Sequence, residues 1–205
     1  MRRIYFLTVG FVLLSKFFCQ KRFLMKRKTR MTQTVQQMDK ETIRAKLQEN
    51  PGVMLEALAG NSGFSMAELI ELLPRQMWKR TGGSRFIEIM QKLATLGKMA
   101  LVMNTPDVII EFSGDIPPGK ESQGFYNLDV NSPMHGHLRA NNCKSIYLVE
   151  RPFMKSQTVS IQFMNEAGEA MFKVFVGRDG KRELIAGQVD ALRCIFQDAV
   201  VGVTA

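Results

Sequence analysis

The two histidines of this 205-residue chain stand two residues apart, at His135 and His137, with Arg139 two residues further on. Just upstream lies the segment Gly124-Phe125-Tyr126-Asn127-Leu128. Imidazole and phenol are side chains that readily bind metals, iron included. In an extended strand, side chains at i, i+2 and i+4 share a face. The spacing therefore predicts one face carrying His135, His137 and Arg139, which offers two nitrogen ligands and a guanidinium.

Three readings of the His-x-His segment compete. The plainest is a pair of partly exposed histidines with no ligand. A cupin-like mononuclear metal site would need a carboxylate a few residues on, and the chain instead runs Leu138, Arg139, Ala140, Asn141, Asn142. Haem needs only one protein ligand, with an apolar slot and cationic donors for the propionates. Side chains at i and i+2 emerge on one side about 7 Å apart, so one histidine would ligate and the other would serve as a neighbour. Arg139, on the same face, is the candidate propionate contact.

Other chemistries have less support. The sequence contains no G-x-G-x-x-G, P-loop, G-x-S-x-G or H-E-x-x-H motif. No serine or cysteine has the context of an activated nucleophile, so no catalytic residue is assigned. The turn from Gly177 to Glu183 resembles an anion-binding turn. It reads better as a strand-to-helix connector in which Asp179 helps to cap the helix.

The elements that must position these residues divide the chain into a leader and a body. The formal charge is +9, yet residues 1–30 hold nine Lys and Arg and no acid, which leaves nineteen basic and nineteen acidic residues beyond them. A neutral body lacks the field that sequence-independent nucleic-acid binding requires, so no nucleic-acid partner is expected. The run Ile4 to Ser15 is too short to span a bilayer comfortably and has no small-residue cleavage site after it. The leader is read as upstream sequence outside the native protein, with Met25 or Met31 as the start. A membrane-surface anchor and a secretory signal are the alternatives. Residues 31–205 then form one domain. Cys143 and Cys194 show no paired spacing, which suits a reducing, cytoplasmic compartment.

Within the body, residues 39–96 read as helical. Ile43 and Leu47 mark a first helix, Pro51 can open a second carrying Val53 to Leu58, and Ser65 caps a third with Glu68 in the capping-box position. A fourth, about Ser84 to Leu96, presents Phe86, Ile89, Met90 and Leu93 on one stripe. The second and third helices resemble a helix-turn-helix, but Glu68 and Glu71 have the wrong sign to approach phosphates. Strands follow at Met99–Met103, Val108–Phe112, Phe125–Val130, His135–Ala140, Ser145–Val149, Thr158–Met164 and Ala170–Val176, with Ser113–Gly119 as a loop. Asn165 to Gly168 suits a hairpin, and Glu183 to Val200 reads as an amphipathic helix. The fold class is α+β: N-terminal helices, a large antiparallel sheet over 98–176 and a C-terminal helix.

Several blocks together resemble the intracellular haem-utilisation carriers of the ChuX/HutX family: Asp107 to Gly114, Gly124 to Leu128, Gly136 to Cys143, Val149 to Met154 and Gly177 to Leu184. The resemblance covers about residues 40–200. It implies a cytoplasmic, non-enzymatic homodimer that binds haem b and hands it to a haem-degrading or haem-accepting protein, with no stable membrane association. It also implies that His137 is the axial ligand of the iron, with Tyr126 the alternative. His135, Arg139 and Phe125 complete the expected haem-contacting set. Some relatives carry a histidine where this chain has Asn104, so that pair of ligands is absent here. A haem-degrading enzyme, or a DNA-binding haem-responsive regulator, would be the other functions.

Overall fold

The computed structural model describes residues 38–197. The leader, with Cys19, Met25 and Met31, and residues 198–205 lie outside the described residues, as does the end of the predicted C-terminal helix.

Capping and spacing explain the helices. Asp39 accepts the Thr42 N–H at the start of α1 (Lys40–Glu49), which buries Ile43 and Leu47. The second helix does not open at Pro51. The Asn50 side chain takes the Gly52 N–H, and Arg151 donates to the carbonyls of Pro51 and Val53, so this stretch is held as a turn. Helix α2 (Leu55–Ser62) begins after it. The predicted capping box opens α3 (Met66–Leu72): Ser65 Oγ accepts from Glu68, and the Glu68 carboxylate accepts from the Ser65 N–H at 2.8 Å. Helix α4 (Phe86–Leu93) buries Phe86, Ile89, Met90 and Leu93, the stripe read from the spacing.

One strand interrupts the region read as helical. Residues Trp78–Gly82 form β1, paired antiparallel to residues 145–149. Its sequence lacks apolar alternation, and its partner lies more than sixty residues away, so nothing local announces it. The remaining strands are β2 (Lys98–Asn104), β3 (Ile109–Asp115), β4 (Gly119–Ser122), β5 (Phe125–Leu128), β6 (His137–Leu138), β7 (Ser145–Phe153), β8 (Ser156–Met164) and β9 (Ala170–Phe175). β3 and β4 occupy much of the stretch read as the loop Ser113–Gly119. The last helix, α5, runs over Ala186–Ile195. Asp179 does not cap it: its carboxylate takes the N–H groups of Lys181 and Glu183 within the connector, and Ile185 is the N-cap.

The strands make two antiparallel sheets, one ordered β1-β7-β8-β9-β2-β3 and a small one ordered β4-β5-β6. The α+β class stands as predicted. Alternation on the large sheet builds two cores. Ile146, Leu148, Ile161, Phe163, Phe172 and Val174 join α4, α5 and the inner side of the small sheet. Tyr147, Val149 and Met164 join the buried sides of α1, α2 and α3. The helix-turn-helix look of α2 and α3 is thus a packing arrangement: Leu69 and Ile70 are fully buried, and Glu71 accepts the Tyr147 hydroxyl at 2.7 Å. Among the described residues, no helix is long and apolar enough to cross a membrane.

Candidate functional site

The small sheet positions the candidate residues. β5 alternates: Tyr126 and Leu128 are buried, while Phe125 and Asn127 are half-buried on the other face. Across the pairing of β5 with β6, His137 lies opposite Asn127 and Leu138 opposite Tyr126. His137 therefore stands on the outer face beside Asn127 and Phe125, and Leu138 packs against the core. The sheet can sit this close because Gly119, in β4, has no Cβ; one placed there would lie 2.5 Å from the Tyr126 ring.

Asn127 decides the state of the histidine. Its amide nitrogen donates to three carbonyls, those of Ser122 at 3.0 Å, Phe125 at 3.2 Å and Lys120 at 3.3 Å. The amide is thereby oriented, and its oxygen faces His137 Nδ1 at 2.6 Å. An amide oxygen only accepts, so Nδ1 carries the proton and the Nε2 lone pair is free for a metal. Holding one ring nitrogen through a hydrogen bond is the usual way a ligating imidazole is oriented. The Phe125 ring meets the His137 ring at 5.8 Å between centroids and 62°, and the Arg139 guanidinium lies 4.8 Å from the Phe125 centroid. One exposed imidazole, one aromatic ring and one cation are gathered on a single surface. This donor set fits a single axial bond, contact with a macrocycle and pairing with a propionate.

Two expected members stand elsewhere. The predicted strand 135–140 shrinks to His137–Leu138, because Gly136 takes a φ of 151° and residues 140–142 turn into a short 3-10 helix. His135 precedes that break, is exposed and contacts the Ser132 carbonyl at 3.2 Å. The shared strand face of His135 and His137 does not form. Tyr126 also stands apart from His137. Its side chain is fully buried, edge-on to Phe86. The phenol oxygen lies near the Gly119 backbone without a well-formed hydrogen bond. Burial pushes its pKa upward, which disfavours the phenolate that iron would need. In this arrangement its side chain belongs to the core and not to the surface that carries His137. The residue that sequence reasoning missed is Asn127. The signal was present: it shares the parity of Phe125 within the same five-residue segment.

Among the described residues, no group of three or more His, Cys, Asp or Glu gathers to hold a bare metal ion. Residues 79–193 match the family described as haem utilisation ChuX/HutX. The chain is 30% identical to the intracellular heme transport protein HutX of Vibrio cholerae over 82% of its own length and 88% of that protein's. A protein from Erwinia carotovora has a similar structure, at 37% identity and a TM-score of 0.73, covering 77% of this chain and 98% of that one. The heme-binding protein ChuX is similar at 35% identity and a TM-score of 0.68, over 75% of this chain and 96% of that one. ChuS, a heme oxygenase of E. coli, shares the fold alone, at 12% identity and a TM-score of 0.62. There the likeness covers 76% of this chain but 48% of that one.

Proposed function

This chain belongs to the haem-utilisation ChuX/HutX family, and on that premise we propose that it carries haem b inside the cell and passes it to another protein. The near-whole-length likeness to an intracellular heme transport protein carries the reading. The geometry supplies a means. His137, with Nδ1 held by Asn127, presents the Nε2 lone pair from an exposed strand. Phe125 offers a ring edge and Arg139 a cation for a propionate. An open site with one protein ligand suits a cargo that must leave again, since a single exchangeable bond can be replaced by an acceptor's ligand. The sequence has no Cys-x-x-Cys-His segment to attach the macrocycle covalently, which favours haem b.

The recipient in this proposal is a haem-degrading or haem-accepting protein. The working unit in this reading is a homodimer, as the family resemblance implies. In this role the chain passes haem on unchanged. The test is a haemin titration of the full chain by absorbance, beside His137→Ala and Tyr126→Phe. A saturable Soret band weakened by His137→Ala and untouched by Tyr126→Phe is expected, with bound haem surviving added reductant. Conversion to a ring-opened product would indicate an enzyme instead. Absence of a saturable band in the wild type would sink the carrier reading.

A further inference from the structure

Strand β1 is an edge of the large sheet: β7 pairs with one side of it and, among the described residues, no strand pairs with the other. The direction of its backbone groups follows from the β7–β8 hairpin. Met154 and Lys155 take φ of 47° and 65°, the left-handed pair of a two-residue turn, and Phe153 with Ser156 closes it. The closing pair is hydrogen-bonded, and bonded and non-bonded pairs alternate from there along the ladder. Counting back, Tyr147 and Ser145 bond to β8, whereas Leu148 and Ile146 turn to β1 and meet Lys79 and Thr81. Trp78, Arg80 and Gly82 therefore direct their N–H and C=O groups away from the sheet. Arg75 marks that direction, since its guanidinium donates to the outward Trp78 carbonyl at 2.8 Å. Both Arg80 and Gly82 are exposed, and among the described residues no hydrogen bond engages their outward groups.

This edge is fixed in place and basic. Gly83, next in the chain, donates its N–H to the Lys144 carbonyl. A Cβ on Gly83 would stand 1.9 Å from the Cys143 carbonyl oxygen, so the end of β1 is pinned against that backbone. The Arg75 guanidinium lies over the Trp78 ring, 4.3 Å from its centroid. Among the described residues neither Arg75 nor Lys79 is in an ion pair. Arg80 has Glu71 at 3.9 Å, but that carboxylate already accepts the Tyr147 hydroxyl at 2.7 Å. Lys144 and Arg85, beyond the end of the strand, are paired with Glu166 and Glu88. Arg75, Lys79 and Arg80 thus outweigh Glu71. A second copy of the same edge would bring like charges together, which disfavours self-pairing. An acidic extended segment gains twice: its backbone continues the ladder, and its carboxylates meet Arg75 and Arg80.

We propose that β1 is a docking edge for an acidic, extended segment of a partner protein, which adds to the large sheet as a further strand beside Trp78–Gly82. The surface is separate from the small sheet and does not depend on what the chain carries. The probe is a short fluorescent peptide alternating glutamate with threonine, titrated against the full chain by anisotropy at physiological salt. Gly82→Pro tests the ladder without altering charge: Gly82 has φ −72° and ψ 151°, which proline adopts, and the ring replaces an outward N–H. Arg80→Glu tests the charge. Saturable binding is expected in the wild type and at least about tenfold weaker binding in either variant. N-methylation of alternate peptide residues, along the edge that would bond to β1, should weaken it as much. Amide exchange at Arg80 and Gly82 should slow in the complex.

Binding that ignores both Gly82→Pro and N-methylation would be by charge alone, which the nine basic residues of the leader also supply, and would overturn the proposal. So would equal binding of the lysine counterpart of the peptide, or no saturable binding. Should circular dichroism show Arg80→Glu misfolded, Gly82→Pro and the N-methylated peptide decide. Sedimentation velocity covers the remaining occupant: a dimer that Gly82→Pro dissociates would mean that a second copy fills the edge, and the proposal would fall.

Discussion

Two neighbours in one short strand take opposite roles. Asn127 faces outward, and its amide is oriented by three carbonyls before it meets His137. Asn127→Ala should leave the imidazole free to rotate and to change tautomer. Haemin affinity is then expected to fall by about 10- to 100-fold, as for other partners behind a ligating histidine, in an absorbance titration. Tyr126 faces inward with a hydroxyl that gains little from the fold. Tyr126→Phe removes a buried, poorly paired polar group. Urea unfolding should show unchanged stability, or a gain of up to about 1 kcal/mol. Weaker haemin binding in this variant would instead mean that the phenol reaches the iron.

At the scale of elements, the N-terminal helices are tied to the sheet by charge as well as by apolar packing. Arg151 of β7 holds the turn before α2, and Lys173 of β9 pairs with Glu56 of α2. Burial alone would raise the Glu56 pKa, but Lys173 and, more weakly, Arg151 outweigh it and hold the carboxyl below its ordinary 4.5. A lowered folded value means that this stabilisation is complete above the unfolded pKa and is lost as pH falls through the folded one. Lys173→Met strands the carboxylate, and a loss of about 3–5 kcal/mol is expected by urea unfolding at neutral pH. The same variant should show a smaller drop in stability between pH 5 and the acid limit than the wild type, roughly in the range where such carboxyls titrate. At the start of α3, Ser65→Ala removes the capping box and should cost about 1 kcal/mol.

At the scale of the molecule, the two cores respond together to alkali. The Cys143 thiol is pushed up to about 11 by burial. Burial and the acceptor Glu71 raise the Tyr147 phenol further. Raised folded values mean that stability is full below the unfolded pKa values and declines as pH rises through the folded ones. Thermal unfolding should therefore hold a plateau to about pH 9 and fall beyond it, and Cys143→Ala should blunt the first part of that fall.

Much of this architecture was legible without coordinates. Ser65 with Glu68, Ile43 with Leu47, and the α4 stripe are relations over three or four residues, and the Asn165–Gly168 hairpin is equally local. Such relations are encoded where they act, because caps, helical faces and turns depend on nearby residues. The recurrence of several family blocks in order likewise needed only the sequence. Tertiary structure alone decided which face of β5 meets the core, that Trp78–Gly82 becomes a strand, and that Pro51 stays in a turn held by Arg151. It also decided that Asn127, rather than a second histidine, sets the chemistry of His137. In each case the partner is supplied by another element, up to a hundred residues away, and local spacing carries no record of it.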